Sequence, residues 1–227
     1  GLRHPPFVQK TNVISASDEN SKEAVQAAVT QLRAGEVVAL PTETVYGLAG
    51  NAFDAAAVAK IFEAKERPSF DPLIVHVATR ADLPRVAVVP EEIQATVEKL
   101  MNAFWRGPLT LVLPKHPDVP DLVTSGLDTV AVRQSASKIF RAVGKELGQP
   151  LAAPSANRFG RISPTSAHAV LQELDGRIPL IVDGGACSEG LESTIIHVTA
   201  GEKRPTITIL RPGPITKEML QNFGKVE

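Results

Sequence analysis

Residues 109–133 read LTLVLPKHPDVPDLVTSGLDTVAVR and decide the fold class. Two strand-like apolar runs, LTLVLP and TVAVR, follow one another with turn-forming Pro, Asp and Gly between them. Because parallel neighbours need a longer crossover, consecutive strands predict an antiparallel pair. Residues 178–210 repeat the pattern in IPLIV, STIIHV and TITIL, which also predict antiparallel pairing.

Elsewhere, predicted helices alternate with predicted strands. Apolar residues at 24, 25, 28, 29 and 32 have helical period, with Asn20 or Ser21 as N-cap and Gly35 as the stop, and the strand EVVAL follows. Asp54 can cap a second helix before the strand PLIVHV. Two further helices and the short buried strand PLAAP follow along the chain. The predicted fold is therefore α/β, a twisted open mixed sheet with helices on its faces.

Composition limits the classes of function. The 24 Lys and Arg are balanced by 25 Asp and Glu, so no global basic field predicts nucleic-acid or membrane binding. The single cysteine, Cys187, excludes an internal disulfide and is consistent with a reducing compartment. No run approaches the roughly 18 apolar residues of a membrane span. We therefore expect a soluble, cytoplasmic protein without a membrane partner.

Familiar catalytic motifs are missing from the sequence. It contains no G-x-x-x-x-G-K-[ST], G-x-G-x-x-G, H-E-x-x-H or G-x-S-x-G pattern, and its five histidines are scattered. Polar residues instead recur at the ends of apolar strands, where open α/β sheets place their ligands.

Three hydroxyls alternate after the strand EVVAL. Thr42, Thr44 and Tyr46 would point to one side of an extended segment and could line a pocket for a small polar ligand. A plain strand end, with Thr and Tyr at favoured β positions, explains them equally well.

Cations cluster where the second helix ends. Lys65 and Arg67 lie two residues apart before Pro68 and could aim at one anion, although solvated cations also complement a helix dipole. Arg133 and Arg211 each end a strand, where an arginine binds a carboxylate or phosphate or forms a structural salt bridge. His76 lies inside an apolar strand, where a hydrogen-bonded core histidine is the more frequent explanation.

The loop LAAPSANRFGRISPTSAHAV, residues 151–170, carries further candidates. Ser155 and Asn157 alternate, and Ser163 with Pro164 is predicted to start a helix whose free N–H groups would favour an anion. An ordinary strand-to-helix loop has the same composition. Two arginines in this loop, Arg158 and Arg161, are expected to face solvent.

The ordered motifs resemble one family. PTETVYGL, KERPSFDPLIVHV, GPLTLVLP, TVAVR, APSANRFGRISPT, IVDGG, GLESTII and ILRPG are similar, in this order, to the YrdC/Sua5 family of threonylcarbamoyl-adenylate synthases. The resemblance implies a large concave cleft and a domain over residues 20–214, with an extension at 1–19 and a short tail or linker start at 215–227. It also implies a nucleotidyltransferase that makes threonylcarbamoyl-AMP and pyrophosphate from L-threonine, bicarbonate and ATP, the first step of N6-threonylcarbamoyladenosine (t6A) formation in tRNA.

The resemblance also assigns roles to individual residues. It implies Mg²⁺ with the ATP, downstream tRNA threonylcarbamoyl-transfer proteins as partners, and Lys65 and Arg67 as the catalytic residues. The implied ATP-binding residues are Lys65, Arg67, Asp71, Thr129, Ser155, Asn157, Ser163 and Arg211. The implied threonine-binding residues are Thr44, His76, Arg133, Ala153 and Ser193.

Two departures from the family pattern matter. Asp71 replaces the usual Asn, and a carboxylate facing phosphates repels them unless a metal or Lys65 compensates, so metal coordination is a substitute role. QSAS follows Arg133 in place of a proline-containing segment, which leaves the path of that loop open.

Two other classes of function predict different features of the sequence. A noncatalytic RNA-binding module predicts a basic domain with stacking aromatics, but the net charge is −1 and aromatic residues make up 4%. Weak tRNA contact stays open. A carbamoyl-transfer domain like that of hydrogenase-maturation proteins normally accompanies zinc-finger segments, for which the cysteines are missing.

Overall fold

Strands from the whole length of the chain form one sheet. The computed structural model describes residues 9–17 and 19–227. The strand order in the sheet is β1-β8-β2-β3-β7-β4-β6-β5-β9-β10-β11. The strands are β1 (Asn12–Ser15), β2 (Val38–Leu40), β3 (Gly47–Asn51), β4 (Ile74–His76), β5 (Leu109–Pro114), β6 (Thr129–Arg133), β7 (Leu151–Ala152), β8 (Leu180–Asp183), β9 (Thr194–Thr199), β10 (Thr206–Arg211) and β11 (Lys225–Val226).

The sheet is mixed, as predicted. β5 and β6, the two runs of residues 109–133, pair antiparallel with Leu111 opposite Val132. Within residues 178–210, the antiparallel prediction holds for β9 with β10 but is wrong for β8, which is parallel to β1 and β2. The reason is topological, because β8 fills the position between β1 and β2, and the chain then crosses to the far half of the sheet before β9.

Helices cover the sheet. They are α1 (Ser21–Arg33), α2 (Ala55–Lys65), α3 (Leu83–Val86), α4 (Glu91–Phe104), α5 (Asp121–Thr124), α6 (Lys138–Leu147), α7 (Ala167–Leu174) and α8 (Lys217–Leu220). The Asp54 cap is confirmed, since its carboxylate accepts from the N–H groups of Ala56 and Ala57. Gly35, just beyond α1, has a φ of +79°, a left-handed conformation that glycine adopts at no steric cost.

The predicted start of α7 is wrong by three residues. The hydroxyl of Ser166, not that of Ser163, caps this helix by accepting from the N–H of Ala169 at 3.1 Å. Residues 164 and 165 do not begin the helix because their carbonyl groups accept hydrogen bonds from other segments of the chain. The carbonyl of Pro164 accepts from the N–H of Tyr46, and that of Thr165 accepts from the N–H of Cys187.

Two apolar clusters hold these layers together. In the first, α1 and α6 pack on β2, β3 and β8 through side chains such as Leu32, Leu40 and Phe140. In the second, α2, α4 and α7 pack against the sheet around Ile61, Leu100 and Leu111 and the other residues of the larger cluster. Burial of apolar surface on this scale is the main favourable term in folding.

Both ends of the described chain belong to the sheet. Although residues 1–19 were expected as an extension, Asn12–Ser15 form an edge strand beside β8; residues 1–8 and 18 lie outside the described part. The tail expected at 215–227 is not frayed, because it forms α8 and then β11, which pairs with β10. Within the described ranges, no helix has the length and apolar character needed to cross a membrane.

Candidate functional site

A cleft of about 520 Å³ opens beside the central strands. All the predicted site residues line it, although they come from eight separate segments of the chain. They are Thr44, Lys65, Arg67, Asp71, His76, Thr129, Arg133, Ala153, Ser155, Asn157, Ser163, Ser193 and Arg211. The tertiary structure therefore brings the whole set together, while the role of each residue stays a prediction.

Lys65 is the most deeply buried cation of the cleft. It ends α2, where Glu66 turns the chain with a left-handed φ of 55°, and it is 1% exposed. Its ammonium group donates to the carbonyl oxygens of Ser155 and Asn157, the latter at 2.6 Å. Burial, reinforced by the positive charge of Arg67, lowers the pKa of Lys65 to about 7. Because this pKa lies near neutral pH, an anion that binds beside Lys65 would stabilise its charged ammonium form.

Arg67 and Asp71 form an ion pair at the cleft mouth. The guanidinium Nη2 lies 3.0 Å from a carboxylate oxygen of Asp71 and donates to the carbonyl of Pro72 at 2.8 Å. The sequence left a metal or Lys65 as the group that compensates Asp71, and the structure adds Arg67, which forms the ion pair. The Arg67 guanidinium also lies 6.0 Å from the ring centre of Phe159, which lines the same cleft.

The loop after β7 forms one wall. Ser155 bridges to Gly47, and the amide of Asn157 donates to the carbonyls of Arg158 and Arg161. The side-chain amide oxygen of Asn157, Oδ1, is buried and has no hydrogen-bond partner among the described residues. Both arginines pair with Glu173, at 3.3 and 3.2 Å, and the expected solvent exposure holds for Arg161, whose side chain is 54% exposed, but not for Arg158, at 25%.

Arg133 faces the cleft and is also a member of a buried salt bridge. Its Nη1 lies 2.8 Å from Oε1 of Glu43 and donates as well to the carbonyl of Gly107. Its Nη2 donates to Thr44 Oγ1 at 3.1 Å. The two explanations left open by the sequence, a ligand-facing arginine and a structural ion pair, therefore describe the same residue.

The hydroxyls of residues 42–46 separate. Thr42 Oγ1 lies 2.8 Å from Thr44 Oγ1 and accepts from the N–H groups of Thr44 and Val45, so the chain turns here. Tyr46 consequently leaves the cleft, and its hydroxyl donates to the carbonyl of Gly185 at 2.6 Å. The expectation of three hydroxyls on one side is wrong for Tyr46 because the segment is not extended.

The floor of the cleft carries a neutral histidine. His76 is buried and packs against the Phe140 ring with centres 4.7 Å apart. Burial, with a smaller effect of the Arg133 charge, holds the pKa of His76 well below its usual range. Its Nδ1 has no hydrogen-bond partner within the described chain, so a satisfied core histidine does not fully describe it.

Ser193 and Arg211 are in contact with each other and both line the cleft. Arg211 donates through Nε and Nη2 to the Ser193 carbonyl, at 3.0 and 2.9 Å, and lies 3.4 Å from a carboxylate oxygen of Glu192. The Ser193 hydroxyl lies 2.7 Å from that of Thr110. These contacts attach Arg211 to the start of β9.

Sequence reasoning missed two acidic residues, Glu43 and Glu192. Each lies inside a motif that was singled out, PTETVYGL and GLESTII, beside a predicted site residue. Their signal was a carboxylate next to hydroxyls at strand ends, but pairing with arginines 90 and 19 positions away could not be read from that spacing.

The fold and the site define an α/β protein with a cleft lined by cationic and hydroxyl side chains. A family model for Sua5, YciO and YrdC, described as "Telomere recombination", matches residues 30–213. The chain belongs to this family.

Sequence similarity to named relatives covers most of the chain. The threonylcarbamoyl-AMP synthase of Pyrococcus abyssi is 46% identical over 211 residues, which is 93% of this chain and 60% of the relative. The Bacillus subtilis threonylcarbamoyl-AMP synthase is 46% identical over 217 residues, 95% of this chain and 59% of the relative. The crystal structure of P. abyssi Sua5 complexed with L-threonine superposes with a TM-score of 0.85 at 42% identity, covering 96% of this chain and 62% of that one. The chain thus spans about three fifths of the length of these relatives.

Proposed function

We propose that this chain carries a threonylcarbamoyl-AMP synthase site, which converts L-threonine, bicarbonate and ATP into threonylcarbamoyl-AMP and pyrophosphate. The observation that carries the proposal is the division of one cleft into two chemically different ends. The charges of Lys65, Arg67 and Arg211 act on one another and form a cationic end, while Arg133 contacts Thr44 and is paired with His76 in the sheet register, which forms a small polar end. Relatives named as this synthase support the proposal.

The cationic end suits a polyphosphate. Arginine binds phosphate oxygens through its planar guanidinium group, and Lys65 supplies a buried point charge in the same cleft. Ser155, Asn157, Ser163 and Thr129 offer hydroxyl and amide groups along the same walls. We assign ATP to this end.

The polar end suits a zwitterionic amino acid. Arg133 would bind the carboxylate of L-threonine, and the hydroxyl of Thr44 lies beside it for polar contacts. Ser193 lines the same cleft, with its hydroxyl next to Arg211. Neutral His76 adds no charge that would repel an ammonium group. The complex of P. abyssi Sua5 with L-threonine supports this assignment.

The reaction follows from bringing the two ligands together. The threonine amine, which enters as an ammonium group, forms a C–N bond to the carbon of bicarbonate, whose C–OH bond breaks, so that a carbamate forms with release of water and a proton. The carbamate oxygen then attacks the α-phosphorus while pyrophosphate leaves. Both reactants and the leaving group are anionic, so positioning and charge neutralisation by Lys65, Arg67 and Arg211 supply the catalysis. A protein nucleophile is not needed.

Mg²⁺ is proposed to arrive with the nucleotide. In the described ranges, no group of three or more acidic, histidine or cysteine side chains could hold a metal, but Asp71 and Glu192 both line the cleft. Mg²⁺ is commonly held by one or two carboxylates together with substrate phosphates, and these two residues fit that role. Bound there, the ion would neutralise phosphate charge.

The product would feed t6A formation in tRNA, through proteins that transfer the threonylcarbamoyl group in the cytoplasm. The direct test measures pyrophosphate release with L-threonine, bicarbonate and ATP, each omitted in turn. We expect release only with all three. Release that is indifferent to threonine would overturn the proposal.

A further inference from the structure

Three arginines of the cleft are paired with carboxylates that differ in their exposure to solvent. The partners of Arg67 and Arg211 are Asp71 and Glu192, and each of these carboxylate side chains is 38% exposed. The partner of Arg133 is Glu43, whose side chain is only 10% exposed. An incoming anion can therefore displace the first two carboxylates into solvent far more easily than the third.

Glu43 is fixed by three donors. Its Oε1 accepts from Arg133 Nη1 at 2.8 Å and from the Ser135 hydroxyl at 2.9 Å, and its Oε2 accepts from the N–H of Ala136 at 2.7 Å. Burial alone would raise the pKa of Glu43, but the charge of Arg133 and these hydrogen bonds lower it below its usual value. The carboxylate is therefore ionised throughout the neutral range.

The position of Glu43 is behind the wall of the cleft. It does not line the cleft itself but a separate cavity of about 1050 Å³ between α1, α6 and residues 184–188, and Thr42 lines both spaces. Arg133 thus presents its guanidinium to the cleft while its charge is neutralised from the far side. Its described hydrogen bonds use Nη1 and part of Nη2, which leaves the Nε edge for a ligand.

We infer that Glu43 is a specificity-determining residue, which cancels the charge of Arg133 and so keeps phosphate groups out of the amino-acid end of the cleft. A phosphate needs uncompensated positive charge, whereas a zwitterion needs only a directed donor edge. With Arg133 neutralised by Glu43, the triphosphate would bind at Arg67 and Arg211, whose carboxylate partners, Asp71 and Glu192, can turn into solvent. This inference rests on the proposed function, because it assigns the two ends to ATP and threonine.

The test titrates inorganic phosphate into wild-type protein and the Glu43→Gln variant by calorimetry, with and without L-threonine. We expect the Glu43→Gln variant to bind phosphate at a site for which threonine competes. At that site its affinity for phosphate should be at least tenfold higher than that of the wild-type protein. Glu192→Gln is the matched control, since it removes the same charge at the other end. Any phosphate affinity that it gains should be insensitive to threonine.

The outcomes separate the two proposals. If wild-type protein fails to bind threonine, the proposed function is contradicted, while the new phosphate site still tests the role of Glu43. If folded Glu43→Gln gains no phosphate site, the inference is wrong. Should that variant not fold, Glu43→Asp, whose shorter side chain draws the carboxylate away from Arg133, should show a smaller gain of the same kind. Unchanged phosphate binding in folded Glu43→Asp would then overturn the inference.

Discussion

The ammonium nitrogen of Lys65 lies 2.6 Å from the carbonyl oxygen of Asn157, although 92 positions separate the two residues. This contact joins the end of α2 to the loop after β7, so that the Lys-x-Arg and Ser-x-Asn segments form adjacent walls of one cleft. The lysine is held by neutral carbonyl groups rather than by a carboxylate, which keeps its charge available to a ligand.

Replacement of Lys65 by Met should chiefly reduce turnover. We expect a loss of roughly 100-fold in the rate of pyrophosphate release, because a preorganised charge at the reacting phosphates is removed. Lys60→Met is the control, since Lys60 lies on the same helix but forms an exposed ion pair with Glu36. Equal rates in Lys65→Met and wild type would return Lys65 to a structural role.

The low pKa of Lys65 predicts proton uptake on ATP binding. At pH 7.5 a group with a pKa of about 7 is mostly neutral, and bound phosphates favour its ammonium form. Part of a proton should therefore be taken up for each ATP bound, and ATP affinity should fall as the pH rises above the pKa of Lys65. Calorimetry in buffers of different ionisation enthalpy measures the uptake, and Lys65→Met should lose it. Uptake that persists in this variant would assign the proton to another group.

Arg133→Ala should weaken threonine binding more than ATP binding. We expect at least about a tenfold loss of threonine affinity, since a charge-assisted contact is removed. The variant should also be less stable by roughly 3 kcal/mol, because Glu43 is left as an unpaired buried charge. Calorimetry and thermal unfolding measure the two effects.

A double variant separates these two effects of Arg133. Glu43→Gln with Arg133→Met removes both charges and should recover stability without recovering threonine affinity. Loss of ATP affinity alone in Arg133→Ala would reverse the role proposed for this arginine.

Asp71→Asn should strengthen ATP binding when no metal is present. The substitution removes a carboxylate that repels phosphates and frees Arg67 from its ion pair. The pair is partly exposed, so a gain of about three- to fivefold is expected. Titration of ATP in the presence of a chelator measures it. Weaker binding would show that the Asp71 carboxylate itself helps to hold the nucleotide.

Ser166→Ala should lower the stability of the protein, whereas Ser163→Ala should lower its affinity for ATP. Loss of the α7 cap in Ser166→Ala should cost about 1 kcal/mol of unfolding free energy with ATP affinity unchanged. Ser163→Ala should leave stability nearly unchanged and weaken ATP binding, because Ser163 lines the cleft without capping the helix. Denaturant unfolding and ATP titration of both variants test the pair. A stability loss confined to Ser163→Ala would restore the original assignment of the cap.

Local patterns determined much of the fold. The alternation of apolar helices and strands, the Asp54 cap and the antiparallel pair in residues 109–133 all follow from periodicity and turn chemistry, which act over a few residues. Arg133, Ser155, Asn157 and Arg211 were predicted from their places at strand ends, whereas Asp71, Thr129 and Ala153 follow only from the family resemblance, and all of these residues line the cleft.

Long-range pairing decided the rest. The sequence by itself determined which side chains stand at the ends of which strands, because that depends only on local structure. Only the tertiary structure decided that β8 lies between β1 and β2, that Ser166 rather than Ser163 starts α7, and that Arg133 is paired with Glu43. Each of these depends on hydrogen bonds or charges between segments far apart in the chain, and no local pattern encodes which distant partner a group will meet.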